Sequence, residues 1–438
     1  MVKVYKKRFL MLFLMCLTNC LIMFQSFQYT SISHVVIKYY QVSEVAVTFT
    51  TISGNIAFLV FVYFGVLILE KGGIRVALTF AAFFNWLGAL IKCFSLQRAR
   101  FDVLLVGQTV AAIGQITSMP LPPLLASIWF ANNETATVVG VNFGCYTLAV
   151  ALTFVVSTVL FADSENVNSI ENDLKTITIV VTIVTSICAI LVLLFFRDKP
   201  KTPPSIAQQC RVQSGKDNSS LKLLFTNIDY NCLLIAFIFN YSVENTLTVV
   251  LNQTVRSVFG DNSIAVTISG TLLMICGIIG AIIVPILLDK FKTFKLISII
   301  CYILSIIALI AILTSIWFEK IIALYISIVF FGFFVYGFAS IASDIVVDVT
   351  YPFPESTSAG VMYSLSSLIG IILAPTTSSL IETIGIYYTL ILLIVLLSIG
   401  GVSLFCAKWN LKRKSTEENN VNEQQIVYSV DNPAFTLS

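Results

Sequence analysis

Four amides and one carboxylate inside a single apolar run are the first chemistry this sequence offers. Asn240, Glu244, Asn245, Asn252 and Gln253 fall within 229–257, and Asn240 and Glu244, four residues apart, share one helix face. A carboxylate surrounded by hydrocarbon is costly enough to mark function by default. Glu244 can pair with a cationic substrate, carry the proton of a symport cycle, or simply hydrogen-bond a neighbouring helix. Gln108 and Gln115, seven apart in the run 102–129, also share a face, and Gln115 can both donate to and accept from a small polar solute or a second helix. Pro120, Pro122 and Pro123 follow and predict a kink or unwound turn in the last third of that run. The run 9–37 mixes amides with rings (Asn19, Phe24, Gln25, Phe27, Gln28 and Tyr29), a combination suited to a partly apolar cation, and Tyr146 in 136–161 is a similar candidate. Asp344 and Asp348, at i and i+4, repel unless paired. Lys290, Lys292 or Lys295 could complete a latch there, and a solvated helix end is the alternative.

The elements that must position these groups are membrane helices. Of 438 residues, 57% are hydrophobic and only 11% charged, where a soluble domain carries about a quarter charged residues. Twelve apolar runs are predicted, at 9–37, 44–69, 76–94, 102–129, 136–161, 175–196, 229–257, 264–288, 294–316, 321–347, 361–381 and 387–408. An even number places both termini on one side. On this reading that side holds 19 of the 26 Lys and Arg and is therefore cytoplasmic. Residues 1–196 and 229–408 form two six-helix halves, joined by the Pro-rich loop 197–228, and 409–438 is a polar tail expected to be disordered. A faint repeat supports the division, since Leu69-Glu70-Lys71-Gly72-Gly73-Ile74-Arg75 after the second run is answered by Leu288-Asp289-Lys290-Phe291-Lys292-Thr293-Phe294-Lys295 after the eighth. Glu70, Arg75 and Asp289 thereby join Asp344 and Asp348 as gating candidates.

Several classes lose support on the same grounds. A net charge of +3 gives no reason to expect nucleic-acid binding, and the ten cysteines, almost all inside apolar runs, read as small hydrophobes. His34 is the one histidine, and no hydrolase, P-loop or metal-ligand pattern occurs. No enzyme and no cofactor are expected. The sequons at Asn133 and Asn218 fall on the cytoplasmic side and are expected to stay unglycosylated, and the charged N-terminus leads into an uncleaved first helix. Asp431-Asn432-Pro433-Ala434-Phe435 resembles a short sorting signal for an endocytic adaptor, with a chance match the alternative.

Longer segments carry a resemblance. Asn85-Trp86-Leu87-Gly88-Ala89 through Lys92 to Ser95-Leu96, then Val106-Gly107-Gln108, and Ala126-Ser127-Ile128-Trp129-Phe130 are similar to the feline leukaemia virus subgroup C receptor family of major facilitator proteins. So are Asp198-Lys199-Pro200-Lys201 with Pro203-Pro204-Ser205, Asp348-Val349-Thr350-Tyr351-Pro352, and Thr357-Ser358-Ala359-Gly360. The similarity runs from about Lys6 to about Lys412. It implies an all-α membrane protein with twelve transmembrane helices in two pseudo-symmetric halves, and a carrier of choline, ethanolamine or haem. Of the family's choline-pocket positions only Gln115 is retained. Ser26 stands where the family has a Trp, Asn245 where it has a Tyr and Ser367 where it has a Gln. Gln115 and Glu244 are the expected substrate contacts, with Gln25, Tyr146, Ser26, Asn245 and Ser367 as lesser lining candidates; a smaller or more polar cation, drawn by the charge of Glu244 instead of by rings, is the alternative.

The expected function is alternating access for a small organic solute near the bilayer midplane, in the plasma membrane. A proton-coupled carrier of another metabolite, and a non-transporting receptor or scaffold, are the alternatives.

Overall fold

The computed structural model describes residues 6–119, 121–130, 135–161, 167–199, 224–260, 262–291, 293–350 and 355–407. Among them, twelve helices are long and apolar enough to cross a membrane. In order they are Lys7–Ser31, Glu44–Leu69, Lys71–Ser95, Phe101–Ser118, Val138–Ser157, Ser169–Phe195, Ile228–Phe259, Ile264–Leu288, Lys295–Trp317, Ile321–Ser343, Gly360–Thr383 and Ile386–Cys406, hereafter the first to twelfth spans. An all-helical answer is what hydrocarbon demands, because each helix satisfies its own backbone donors and acceptors. Lys7 and Cys406 lie on the same face, called here the terminal face, and the opposite one is the outer face.

The spans turn many apolar side chains outward. Tyr63, Val159, Ile190, Leu194, Ile286 and Ile322 are all well exposed on the protein surface, as lipid-facing positions should be. Association of such helices gains little from the hydrophobic effect and depends on close packing through small residues. Gly88 and Gly107 bring the third and fourth spans into backbone contact: a Cβ at Gly88 would stand 2.4 Å from the Ala111 nitrogen. Gly280 does the same for the eighth and tenth, where an added Cβ would lie 2.0 Å from the Phe333 carbonyl oxygen.

Three boundaries differ from expectation. The predicted 9–37 run breaks at Ile32 (φ −116°, ψ 32°), and a short helix, Ser33–Tyr40, follows. Hydroxyls cause the break in part, since Thr30 and Ser31 donate back to the Phe27 and Gln28 carbonyls and compete with the helix ladder. Tyr39 and Tyr40 then donate to the Leu96 and Ser95 carbonyls at 2.6 and 3.0 Å, tying this helix to the end of the third span. Burial pushes the Tyr40 phenol up to about 12. The second and third spans run into one another, with only Gly73 leaving helical geometry (φ 75°, ψ −177°). No side chain fits there, because a Cβ would lie 2.4 Å from Asp198 Oδ1, which accepts from the Arg75 amide at 3.2 Å. The expected 102–129 run is divided into Phe101–Ile113, Gln115–Ser118 and Leu121–Trp129. The helix tightens at Gly114, whose amide donates to the Ala111 carbonyl at 3.1 Å, but keeps helical dihedrals there (φ −59°, ψ −28°).

The joining loop from 200 to 223 and the tail from 408 onward lie outside the described residues, as do both sequons and the tail motif.

Candidate functional site

Two polar clusters form, one in each set of six spans, and aromatic rings bridge them. In the first set, Gln115 Nε2 donates to Ser26 Oγ at 2.7 Å, and Ser26 Oγ donates to the Ile22 carbonyl at 2.9 Å. Thr51 Oγ1 holds the Ser26 carbonyl at 2.8 Å. Gly54 makes room for this pair, since a Cβ there would stand 3.1 Å from Gln115 Oε1. Two residues named separately from sequence are therefore one unit, with Ser26 and Gln115 both buried.

Gln25 does not share that role. Its amide donates to Asn85 Oδ1 at 2.7 Å and to the Asn85 carbonyl at 3.1 Å, inside the bundle of the first set. Behind it lies a group that sequence reasoning passed over except as part of a motif. Lys92 is 1% exposed, donates to Gln108 Oε1 at 3.0 Å, and stands 5.5 Å from the centre of the Tyr29 ring. Gln108 Nε2 in turn donates to the Gln25 carbonyl at 2.6 Å. The chain Lys92, Gln108, Gln25 thus holds the peptide that leads into Ser26. Asn19 reaches Asn142 at 2.7 Å, while Phe24 and Phe27 pack with the apolar cores.

In the second set, Glu244 is 8% exposed in the seventh span, itself the most buried of the twelve. Its Oε1 accepts from Thr248 Oγ1 at 3.1 Å and from the Tyr336 hydroxyl of the tenth span. Among the described residues no lysine or arginine stands within ion-pair distance of it. Around it gathers a wall of rings. Phe143 meets Tyr336 edge-on at 6.0 Å and stacks on Tyr146 at 6.1 Å. Tyr146 lies beside Tyr241, which meets Tyr363 edge-on at 5.8 Å. The fifth, seventh, tenth and eleventh spans thus place aromatic rings around Glu244, where Ser26 and Asn245 supply none. Tyr241, three residues before Glu244, carried a readable helix-spacing signal; Phe143, Tyr336 and Tyr363 carried none, because only folding brings their spans together.

Asn245 and Ser367 are buried at 8% and 6% exposure, and no described contact draws either to Gln115 or Glu244. Asn240, one turn from Glu244, is 1% exposed and neither its Oδ1 nor its Nδ2 has a partner. Asn252 and Gln253 serve elsewhere. Gln253 pairs with Ser378, while Asn252 Nδ2 donates to the Ser31 carbonyl at 2.5 Å and lies 3.3 Å from His34 Nδ1, joining the two sets at the outer face. Thr267 Oγ1 adds a bond to the Phe154 carbonyl at 3.1 Å there. Among the described residues no cluster of His, Cys, Asp or Glu could hold a metal.

Of the gating candidates, Arg75 is described: its guanidinium donates to the Leu193 carbonyl at 3.2 Å. The side chains of Glu70, Asp289, Asp344 and Asp348 lie outside the described set.

Known proteins share this architecture. The D-xylose-proton symporter superposes with a TM-score of 0.75 at 13% identity, covering 92% of this chain and 97% of that one. A bacterial homologue of the human lysosomal transporter Spinster, in an inward-facing and unoccupied conformation, gives 0.73 at 14% identity over 94% and 99%. By sequence, the choline/ethanolamine transporter FLVCR2 of Homo sapiens is 28% identical over 434 residues, 97% of this chain and 82% of its own length. The choline/ethanolamine transporter flvcr2a of Danio rerio is 26% identical, over 97% and 92%. An uncharacterized MFS-type transporter of Caenorhabditis elegans, C09D4.1, is 27% identical over 94% and 71%. Residues 14–375 match the Major Facilitator Superfamily, and with twelve candidate spans and these relatives, the chain belongs to that superfamily of membrane transporters.

Proposed function

We propose that this transporter carries a small organic cation of the choline or ethanolamine class, bound between residues 1–196 and 229–408 and released as the two halves rock about the loop 197–228. The observation that carries the reading is Glu244, a buried carboxylate with hydroxyl donors but no described basic partner, walled by rings from both halves. A carboxylate attracts any cation, and ring faces favour an alkylammonium over a metal ion. Gln115, held by Ser26, lines the opposing half, and Asn240 offers a free amide to a hydroxyl or amine. The names of the relatives point to the same solutes.

The hydrogen bonds at Asn252 and Thr267 close the outer face, which supports a state open toward the terminal face. The excess of basic residues at that face supports placing both termini in the cytoplasm. The plasma membrane is the matching location, with external solute as cargo.

Uptake of labelled choline and ethanolamine into cells expressing the wild type and Glu244→Gln tests the proposal. Uptake should fall at least about tenfold in the mutant at equal surface expression. Wild-type-like uptake would remove Glu244 from the mechanism, and no uptake of either solute by the wild type would overturn the substrate class. The same carboxylate supports proton coupling as a second reading. Collapse of an imposed pH gradient would then abolish accumulation, whereas a uniporter would be indifferent.

A further inference from the structure

One cavity lies away from the carboxylate of the seventh span. It is an apolar groove of about 430 Å³ on the lipid side of the eighth, ninth and tenth spans. Leu287 and Phe291 form one wall, Leu296 and Ile300 the other, and Phe333 and Phe334 the floor. Leu287, Phe291, Leu296 and Ile300 are 39–58% exposed, so the groove opens sideways into hydrocarbon. Its upper end reaches the turn between the eighth and ninth spans at the terminal face, where Thr293 also lines it. From Phe291 back to Val284 is about 10 Å along the helix, long enough to take the upper part of one acyl chain.

The mouth is basic. The segment Leu288-Asp289-Lys290-Phe291-Lys292-Thr293-Phe294-Lys295-Leu296 carries three lysines against one aspartate. Lys290 and Lys295 are both exposed. Lys290 Nζ stands 5.8 Å from the centre of the Phe291 ring, which lines the groove, and Lys295 Nζ spends one donor on the Ala407 carbonyl at 3.1 Å, leaving two. Ammonium groups at headgroup level above an apolar slot are the complement of an anionic glycerophospholipid, whose phosphate meets the lysines while one chain fills the groove.

We infer that this groove is a binding site for an anionic glycerophospholipid, with Lys290 and Lys295 holding the headgroup. The floor gives the site a consequence. Phe333 lies on the tenth span three residues before Tyr336, the donor to Glu244, and its carbonyl packs directly on Gly280 of the eighth. A lipid in the groove braces that helix pair from behind. The inference is independent of which solute the transporter carries.

The test uses the purified full-length protein in neutral detergent, with phosphatidylserine or phosphatidylcholine of the same chains added, read by thermal midpoint and by lipids retained in native mass spectrometry. Phosphatidylserine should bind about tenfold more tightly than phosphatidylcholine. Lys290→Gln with Lys295→Gln should remove that advantage while leaving phosphatidylcholine binding unchanged. Ile300→Trp, which fills the slot without touching charge, should weaken both lipids. Equal binding of the two lipids by the wild type would overturn the inference. So would an advantage that survives loss of the lysines, an Ile300→Trp variant that binds as the wild type does, or equal stabilisation by soluble glycerophosphoserine.

Discussion

Glu244 draws its meaning from what surrounds it. The Tyr336 hydroxyl donates to its Oε1, and the same ring meets Phe143 across the halves. Tyr336→Phe keeps the ring and deletes the donor, so the apparent affinity for the transported cation should drop about tenfold, the worth of one hydrogen bond to a charged group at the lower end of its range. Maximal uptake at saturating solute should change less. A competition assay in expressing cells reads both, and an unchanged affinity would show that the hydroxyl is not needed to orient the carboxylate.

Lys92 poses the opposite problem, a buried cation that faces only amides and a ring. Gln108→Leu strands its ammonium without an acceptor and should lower stability more than Lys92→Met, which removes the charge and keeps the bulk. The double variant should recover part of the loss, with a coupling energy of about 1 kcal/mol, near the upper values measured between membrane helices. Thermal midpoints of the four proteins provide the cycle. Additive effects would show that Lys92 and Gln108 do not act as a pair.

At the scale of elements, glycines decide how near two helices stand. Gly280→Leu puts a side chain where the Phe333 carbonyl already is, and should abolish folded yield or cost about 2 kcal/mol or more. Gly144→Ala is the matched control, because no atom lies within 4 Å of the Cβ position there. Fluorescence-detected size exclusion separates the two outcomes. Spacing in the sequence announced none of this, since a glycine inside an apolar run looks the same whether it faces a backbone or open space. The divided fourth span shows a related limit. The prolines signalled a break, but nothing in the spacing announced the tightened turn at Gly114, where a Cβ would stand 2.7 Å from the Ala81 carbonyl of the third span.

For the whole molecule, the described outer-face bonds set one side of the transport equilibrium. Asn252→Leu removes donation to the Ser31 carbonyl and the contact with His34, costing the closed state about 1 kcal/mol. A shift of about fivefold toward outward-open forms should follow. Labelling of a cysteine introduced near the Ser31 and Asn252 pair measures it, with faster labelling in the variant as the expected result. Labelling at the wild-type rate would assign the outer seal to packing of Phe154 against Gly270 instead.

Sequence alone determined the solvent and the number of spans. Hydrocarbon forbids unpaired backbone, so apolar run length translates directly into helices. It also marked Glu244 and Gln115, because polar groups in such runs are few and costly. The tertiary structure decided which of them act together. It joined Gln115 to Ser26, withdrew Gln25 and Asn252 to other duties, and set Phe143, Tyr146, Tyr241, Tyr336 and Tyr363 around the carboxylate. In a chain with 34 Phe and 16 Tyr, most rings merely pack. Only the crossing of four helices at one depth distinguishes the few that face a charge.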